Sequence, residues 1–172
     1  EKDNIIMGKN ISVGDTIIGI PSSGLHTNGY SLVRKLFGVS QPVLNTHYPE
    51  LGRTLGEELL EPHRCYYHQL KPLLPRIKGM AHITGGGLIG NVPRILPQGM
   101  AVQFRSQAWA ILPIFQLIQQ QGNVAQDEMY RVFNMGIGMV LICSPNDADQ
   151  LTQALPEAKV IGEAMKQEGE AR

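Results

Sequence analysis

The sequence predicts a single layered domain of the α/β or α+β class. Three observations carry that expectation. Short apolar, strand-like runs alternate with amphipathic, helix-like stretches, the pattern of helices packed on a sheet. The length, 172 residues, suits about one domain. Hydrophobic residues make up 42% and charged residues 17%, enough apolar surface for a core and too little charge for a disordered chain. Lysine plus arginine and aspartate plus glutamate both number 15, so the formal charge is zero and there is no basic footprint for nucleic acid or for a membrane surface. The sequence has no apolar run of membrane-spanning length and no signal peptide. Cys65 and Cys143 lie far apart and match no metal-binding spacing, so both are expected as free thiols in a reducing, cytoplasmic compartment.

Asn4 to Met7 and Thr16 to Ile20 read as short strands joined by a turn at Gly14-Asp15. A polar loop follows, then a helix from Tyr30 to Phe37 in which Leu32, Val33, Leu36 and Phe37 recur at helical spacing. Residues 38–52 hold two prolines and no periodicity and are expected as a surface loop. Thr54-Leu55-Gly56-Glu57 has capping-box spacing and opens a short helix. After Pro62, the residues Tyr66, Tyr67, Leu70, Leu73 and Leu74 are expected as the buried stripe of a helix that Pro72 kinks or delays. Gly79 to Thr84 reads as a strand, Val92 to Leu96 as a helical turn and Ala101 to Phe104 as a strand. Leu112 to Gln121 is a helix with Pro113 near its start and Gly122 after its end, and Gln126 to Tyr130 is another short one. Met139 to Ile142, Asn146 to Leu155 and Lys159 to Ala164 complete the alternation as strand, helix and strand. The runs at 16–20, 80–83 and 139–142 are apolar enough to be expected in the interior, covered on both faces.

Three glycine-bearing loops hold the residues with chemistry. Ser22-Ser23-Gly24-Leu25-His26-Thr27-Asn28-Gly29 lies at a strand-to-helix junction, where it can aim three hydroxyls, an imidazole and an amide at one point. The plainer reading is a polar connector with Thr27 or Asn28 as N-cap. An unperturbed His26 titrates near neutrality, which makes it the candidate for proton transfer or phosphate stabilisation. Gly85-Gly86-Gly87-Leu88-Ile89-Gly90 satisfies G-x-G-x-x-G after a strand, but residues 105–110 lack the carboxylate that a dinucleotide site needs. What survives is a run of backbone N–H groups able to cradle an anion, set against a turn made glycine-rich by tight packing. Phe133 to Gly138 places an amide and two glycines before a strand, as a third loop of the same cleft or as a bend. His82 is expected as a packed strand residue, and His47, His63 and His68 form no constellation in the sequence. With no acidic cluster either, no metal site is expected in this chain.

Taken together and in this order, Pro21 to Lys35, then His82 to Leu88 with Asn91 and Pro93-Arg94, then Phe133 to Met139, resemble the second half of the phosphoribosylformylglycinamidine cyclo-ligase family of purine biosynthesis. That family is also called aminoimidazole ribonucleotide (AIR) synthetase. Its superfamily includes formylglycinamide ribonucleotide amidotransferase, selenophosphate synthetase, thiamine-phosphate kinase and a hydrogenase maturation protein. The resemblance covers nearly the whole chain. It implies a three-layer α/β/α domain around a mixed β-sheet, with residues 1–172 as an isolated C-terminal domain that lacks the family's N-terminal ATP-site domain.

The implied activity is an ATP-dependent ring closure. ATP phosphorylates the formyl oxygen of formylglycinamidine ribonucleotide, a nitrogen of the amidine side attacks, and AIR, ADP and phosphate leave. His26 is the expected catalytic residue. Ser22, Ser23, Gly24, Thr27, Asn28, Gly85, Gly86, Gly87, Asn91, Asn134 and Gly136 are expected to bind substrate or phosphate. The resemblance also implies ATP and Mg²⁺ held mostly by the N-terminal domain, that domain as partner, and a homodimer of the full-length enzyme. Alone, the chain is expected to fold and not to turn over. A phosphate- or nucleotide-binding module without chemistry, and another enzyme of the superfamily such as the amidotransferase, remain as alternatives.

Overall fold

A computed structural model describes residues 5–168. Its strands are β1 (Thr16–Pro21), β2 (His47–Tyr48), β3 (Arg53–Thr54), β4 (Ile77–His82), β5 (Met100–Phe104), β6 (Ile137–Cys143) and β7 (Lys159–Lys166). Its α-helices are α1 (Tyr30–Phe37), α2 (Gln41–Leu44), α3 (Leu55–Leu59), α4 (Tyr67–Leu70), α5 (Gly87–Asn91), α6 (Pro113–Gly122), α7 (Gln126–Val132) and α8 (Pro145–Ala154). Five strands form one sheet in the order β4-β6-β1-β7-β5, and β2 pairs with β3 in a small hairpin.

Helices cover both faces of the large sheet, so the three-layer expectation holds. On one face Ile17, Val140 and Ile142 pack against Leu88 and Val92, from α5 and the 3₁₀ turn Val92–Ile95. On the other, Ile18, Ile20 and Leu141 pack against Leu70 of α4 and against Ala148 and Leu151 of α8. A third cluster lies off the sheet and joins α1, α3, α6 and α7 around Leu25, Val33, Phe115, Met129 and Phe133.

The sheet is not mixed. All four of its ladders are antiparallel. A run that is apolar at every position reports burial on both faces, and two-sided cover is what β1 and β6 have; it says nothing about strand direction. β1 and β6 are interior strands, as expected. β4 is an edge strand, with β6 as its neighbour on one side.

Other differences are local. Ile5 to Met7 form no strand, and Asn4 lies outside the described residues. Residues 38–52 are not a plain loop: they contain α2 and the first strand of the hairpin. The helix after Pro62 begins late, at Tyr67, and passes into a 3₁₀ turn at Lys71–Arg76, where Pro72 and Pro75 remove backbone donors. Tyr67 is exposed, while Tyr66 and Leu70 are buried. The capping box is complete: Thr54 accepts from the Glu57 N–H, and the Glu57 carboxylate accepts from the Thr54 N–H. No helix among the described residues is long and apolar enough to cross a membrane.

Candidate functional site

Sheet register gathers the three loops. β1 and β4 both run antiparallel to β6 and flank it, so their C-terminal ends lie beside its N-terminal end. Pro21 stands opposite Ile137, and His82 opposite Met139. The Ser22–Gly29 loop leaves β1 there, the Gly85–Gly87 loop leaves β4 there, and the Phe133–Gly136 turn enters β6 there.

Asn134 fastens the turn to the first loop. Its side chain is fully buried. Oδ1 accepts from Ser22 Oγ at 2.9 Å and from the Gly136 N–H at 2.8 Å, while Nδ2 donates to the carbonyls of Gly24 at 2.9 Å and Leu25 at 3.3 Å. The Ser22 N–H also donates to the Gly136 carbonyl. Asn91 does the same work for the glycine loop: Oδ1 accepts from Thr84 Oγ1, and Nδ2 donates to the carbonyls of Thr84, Gly85 and Gly87. Both amides are committed to the framework, so Asn91, Asn134, Ser22 and Gly136 shape the loops from beneath.

The side chains that face outward are fewer. Thr27 and Gly85 are exposed, and Ser23, Asn28 and Gly86 are half-buried. Asn28 Nδ2 is a buried donor with no partner in the fold, and Asn28 Oδ1 stands 3.7 Å from where a Cβ on Gly85 would be, so the first two loops touch. Neither Thr27 nor Asn28 caps α1. The N-cap is Gly29, at φ 80°, and no side chain caps the helix. Gly24 and Gly87 are buried. The Gly87 N–H donates to the Thr84 carbonyl and is committed within the loop.

His26 is buried, 5% exposed, and sits at φ 58°, a left-handed conformation that costs a non-glycine residue about 1–2 kcal/mol. The Ser23 N–H donates to its Nε2 at 3.1 Å, so the neutral ring carries its proton on Nδ1, and Nδ1 has no partner. Its ring stacks on His63 with centroids 3.9 Å apart, and His63 Nε2 lies 3.1 Å from His82 Nε2. Gly138 of β6 makes room for this: a Cβ there would stand 2.6 Å from His26 Cε1 and overlap the Tyr66 hydroxyl, which donates to the Pro21 carbonyl.

The neutral titration expected of His26 is not found. Burial, then the neighbouring His63, His82 and Arg64, lower its pKa from 6.5 to about 4. Burial and His63 lower that of His82 as well. The unfolded chain therefore binds a proton on His26 near pH 6.5 that the folded chain refuses until about pH 4. Stability from this group is complete above pH 6.5 and is lost as pH falls through that window, by about 3 kcal/mol in all. Urea unfolding at pH 7.5 and pH 4.5, with a chelator present, should give that loss. His26→Asn tolerates the left-handed backbone and should flatten the slope; an unchanged slope in the variant would count against this assignment.

Residues 12–172 match the family model of the AIR synthase related protein, C-terminal domain. The chain belongs to this family. Among curated AIR synthase relatives, the phosphoribosylformylglycinamidine cyclo-ligase of Geobacillus thermodenitrificans is 49% identical over 176 residues, covering 98% of this chain and 51% of that protein. The one from Desulfitobacterium hafniense is 48% identical over 172 residues, covering 96% and 50%. The chain thus spans about half the length of the curated relatives it matches. Two solved structures share the AIR synthase-type fold. Thiamine-monophosphate kinase from Stenotrophomonas maltophilia aligns over 98% of this chain and 52% of its own, with TM-score 0.65 and 15% identity. T. maritima PurL, complexed with AMPPCP, aligns over 95% and 24%, with TM-score 0.52 and 10% identity.

Sequence reasoning missed His63, and it gave His82 only a packing role. The only signal available for His63 was its interval to His68, which leads away from the cluster. The three histidines come from the first loop, the segment before α4 and the last residue of β4, and nothing local in the sequence links them.

Proposed function

We propose that the chain forms the C-terminal half of an ATP-dependent ligase that closes the imidazole ring of 5-aminoimidazole ribonucleotide from formylglycinamidine ribonucleotide. The carrying observation is that sheet register brings the family's three loops to one end of the sheet, where Asn134 clasps the third to the first, Asn91 holds the shape of the second, and Asn28 Nδ2 is left without a partner. The names of the curated relatives support the reaction, and AMPPCP in the PurL neighbour's complex supports a nucleoside triphosphate as co-substrate.

In this reading the Gly85 and Gly86 N–H groups, with Asn28 Nδ2, hold phosphate oxygens of the ribonucleotide. Ser23 and Thr27 hydroxyls line the same opening. His26 is neutral at pH 7, so its part is hydrogen-bond donation from Nδ1 or support of the loop, not transfer of its own proton as a cation. Phosphorylation turns the formyl oxygen into a leaving group, and ring closure expels it as phosphate. Such a reaction depends on positioning and on neutralising phosphoryl charge. Mg²⁺ prefers oxygen ligands, and among the described residues the one group of three metal-ligating side chains is the three histidines, which do not fit it. In this reading the Mg²⁺ ligands and most of the ATP contacts belong to the other half of the enzyme, as the resemblance to the ligase family implies.

Two measurements test this. ATP-dependent AIR formation should be negligible with this chain alone and appear when a polypeptide carrying the relatives' other half is added; robust turnover by the chain alone would overturn the division of labour. In the second, Gly85→Val should weaken ribonucleotide or phosphate binding by about 10-fold, or about 1.4 kcal/mol, by calorimetry. A Cβ at Gly85 meets only Asn28 Oδ1 at ordinary contact distance, so the fold should survive. Unchanged affinity in the folded variant would remove the anion from this loop.

A further inference from the structure

We propose that His26, His63 and His82 form a binding site for a divalent transition metal ion of the imidazole-preferring kind, with Zn²⁺ foremost. One ring nitrogen from each of the three lies within 4.8 Å of the others. Zn–N bonds of about 2.0–2.1 Å in a tetrahedral site set ligand nitrogens about 3.3 Å apart, close to the 3.1 Å between His63 Nε2 and His82 Nε2. His63 lies stacked on His26 with 18° between the ring planes, so its ring must turn out of the stack to aim an in-plane lone pair at a shared ion; His63 and His82 are exposed and have room to do so.

His26 has a nitrogen to give. Nδ1 is buried without a hydrogen-bond partner, while Nε2 faces Ser23. Metal on Nδ1 moves the ring proton to Nε2, where the bond accepted from the Ser23 N–H is given up and Ser23 Oγ, 3.1 Å away, accepts the proton while donating to the Pro62 carbonyl at 2.8 Å. That chain is the outer support that metal-bound histidines characteristically have. Arg64, the nearby cation, is paired with Glu157, which offsets its charge. Three imidazoles exclude Mg²⁺ and Ca²⁺ in favour of Zn²⁺, Cu²⁺, Ni²⁺ or Co²⁺, and leave a fourth position for water or a ligand oxygen. An ion here ties the first loop to the end of β4 and to the segment before α4. The site does not depend on the ribonucleotide reading, and its test does not use turnover.

Zn²⁺ titrated calorimetrically into the 172-residue chain should bind one to one. Co²⁺ should give the intense visible bands of a four-coordinate site, and Zn²⁺ should raise the urea midpoint. His63→Ala and His82→Ala, both at exposed positions, should each weaken Zn²⁺ by more than the roughly 10- to 100-fold expected of removing an outer partner, as in Ser23→Ala. His68→Ala and His47→Ala should bind as the parent does. Binding that survives His63→Ala, falls equally in His68→Ala, or gives only the weak Co²⁺ bands of a hexaaqua-like ion would overturn the proposal.

Discussion

Asn134→Ala should lower the stability of the fold by about 3–5 kcal/mol, read as a drop in the urea midpoint at constant slope. The side chain is fully buried and uses both ends of its amide. Truncation removes partners from Ser22 Oγ, the Gly136 N–H and the Gly24 carbonyl in one step, while the Leu25 carbonyl keeps the Asn28 N–H. Each orphaned buried group costs about 1–3 kcal/mol, with partial relief if water enters the hole. Asn134→Asp keeps the acceptor but turns a carboxylate oxygen toward the two carbonyls, so it should not rescue the loss. A loss below about 1 kcal/mol for Asn134→Ala would mean that the loops hold their shape without this clasp.

Gly87→Ala should cost about 3 kcal/mol or more, the sum of backbone strain and overpacking. Gly87 sits at φ 58° under the end of α7. A Cβ would overlap the Tyr130 carbonyl oxygen and stand 2.9 Å from that of Phe133. Those are backbone atoms and cannot swing aside, so α5 and α7 must separate. The residues that lie next to Gly87 along the chain behave differently: Gly85 is open, and Gly86 meets only ordinary contacts, although its φ of 101° still demands glycine. Thermal unfolding of Gly85→Ala and Gly87→Ala side by side separates the two roles; equal melting temperatures would erase the distinction drawn between them.

The sequence made the helices and most strands legible because their signals are local. Leu32, Val33, Leu36 and Phe37 repeat at 3.6, Thr54 and Glu57 stand three apart, and Pro113 opens α6, although Gly122 is its last residue and Asn123, not Gly122, is the left-handed C-cap. The grouping of the three loops was also legible, through the resemblance. What was not legible depends on pairing. Apolar runs at β1, β4 and β6 look alike in sequence, yet only register tells that β4 is an edge and that all ladders are antiparallel. The roles inside the loops were hidden for the same reason. Asn28, Asn91 and Asn134 are one residue type, but two are saturated within the fold and one has a free donor. The lowered pKa of His26 comes from burial and from His63, which lies 37 positions along the sequence and on another element.

The order β4-β6-β1-β7-β5 has a consequence for how the chain is made. β1 is the central strand, and both of its neighbours come late: Thr16 pairs with Cys143 on one side and with Glu163 on the other. At roughly 5–20 residues per second, a ribosome delivers those partners on the order of 10 s after β1 has emerged. Until then Ile17, Ile18 and Ile20 have no sheet to enter, and their apolar edge is open to other nascent chains. Closing such distant pairs before any contact rewards them makes folding slow. Translation stalled before β6 should leave a species that chaperones hold, and release past β7 should bring native protection to β1, β6 and β7 together.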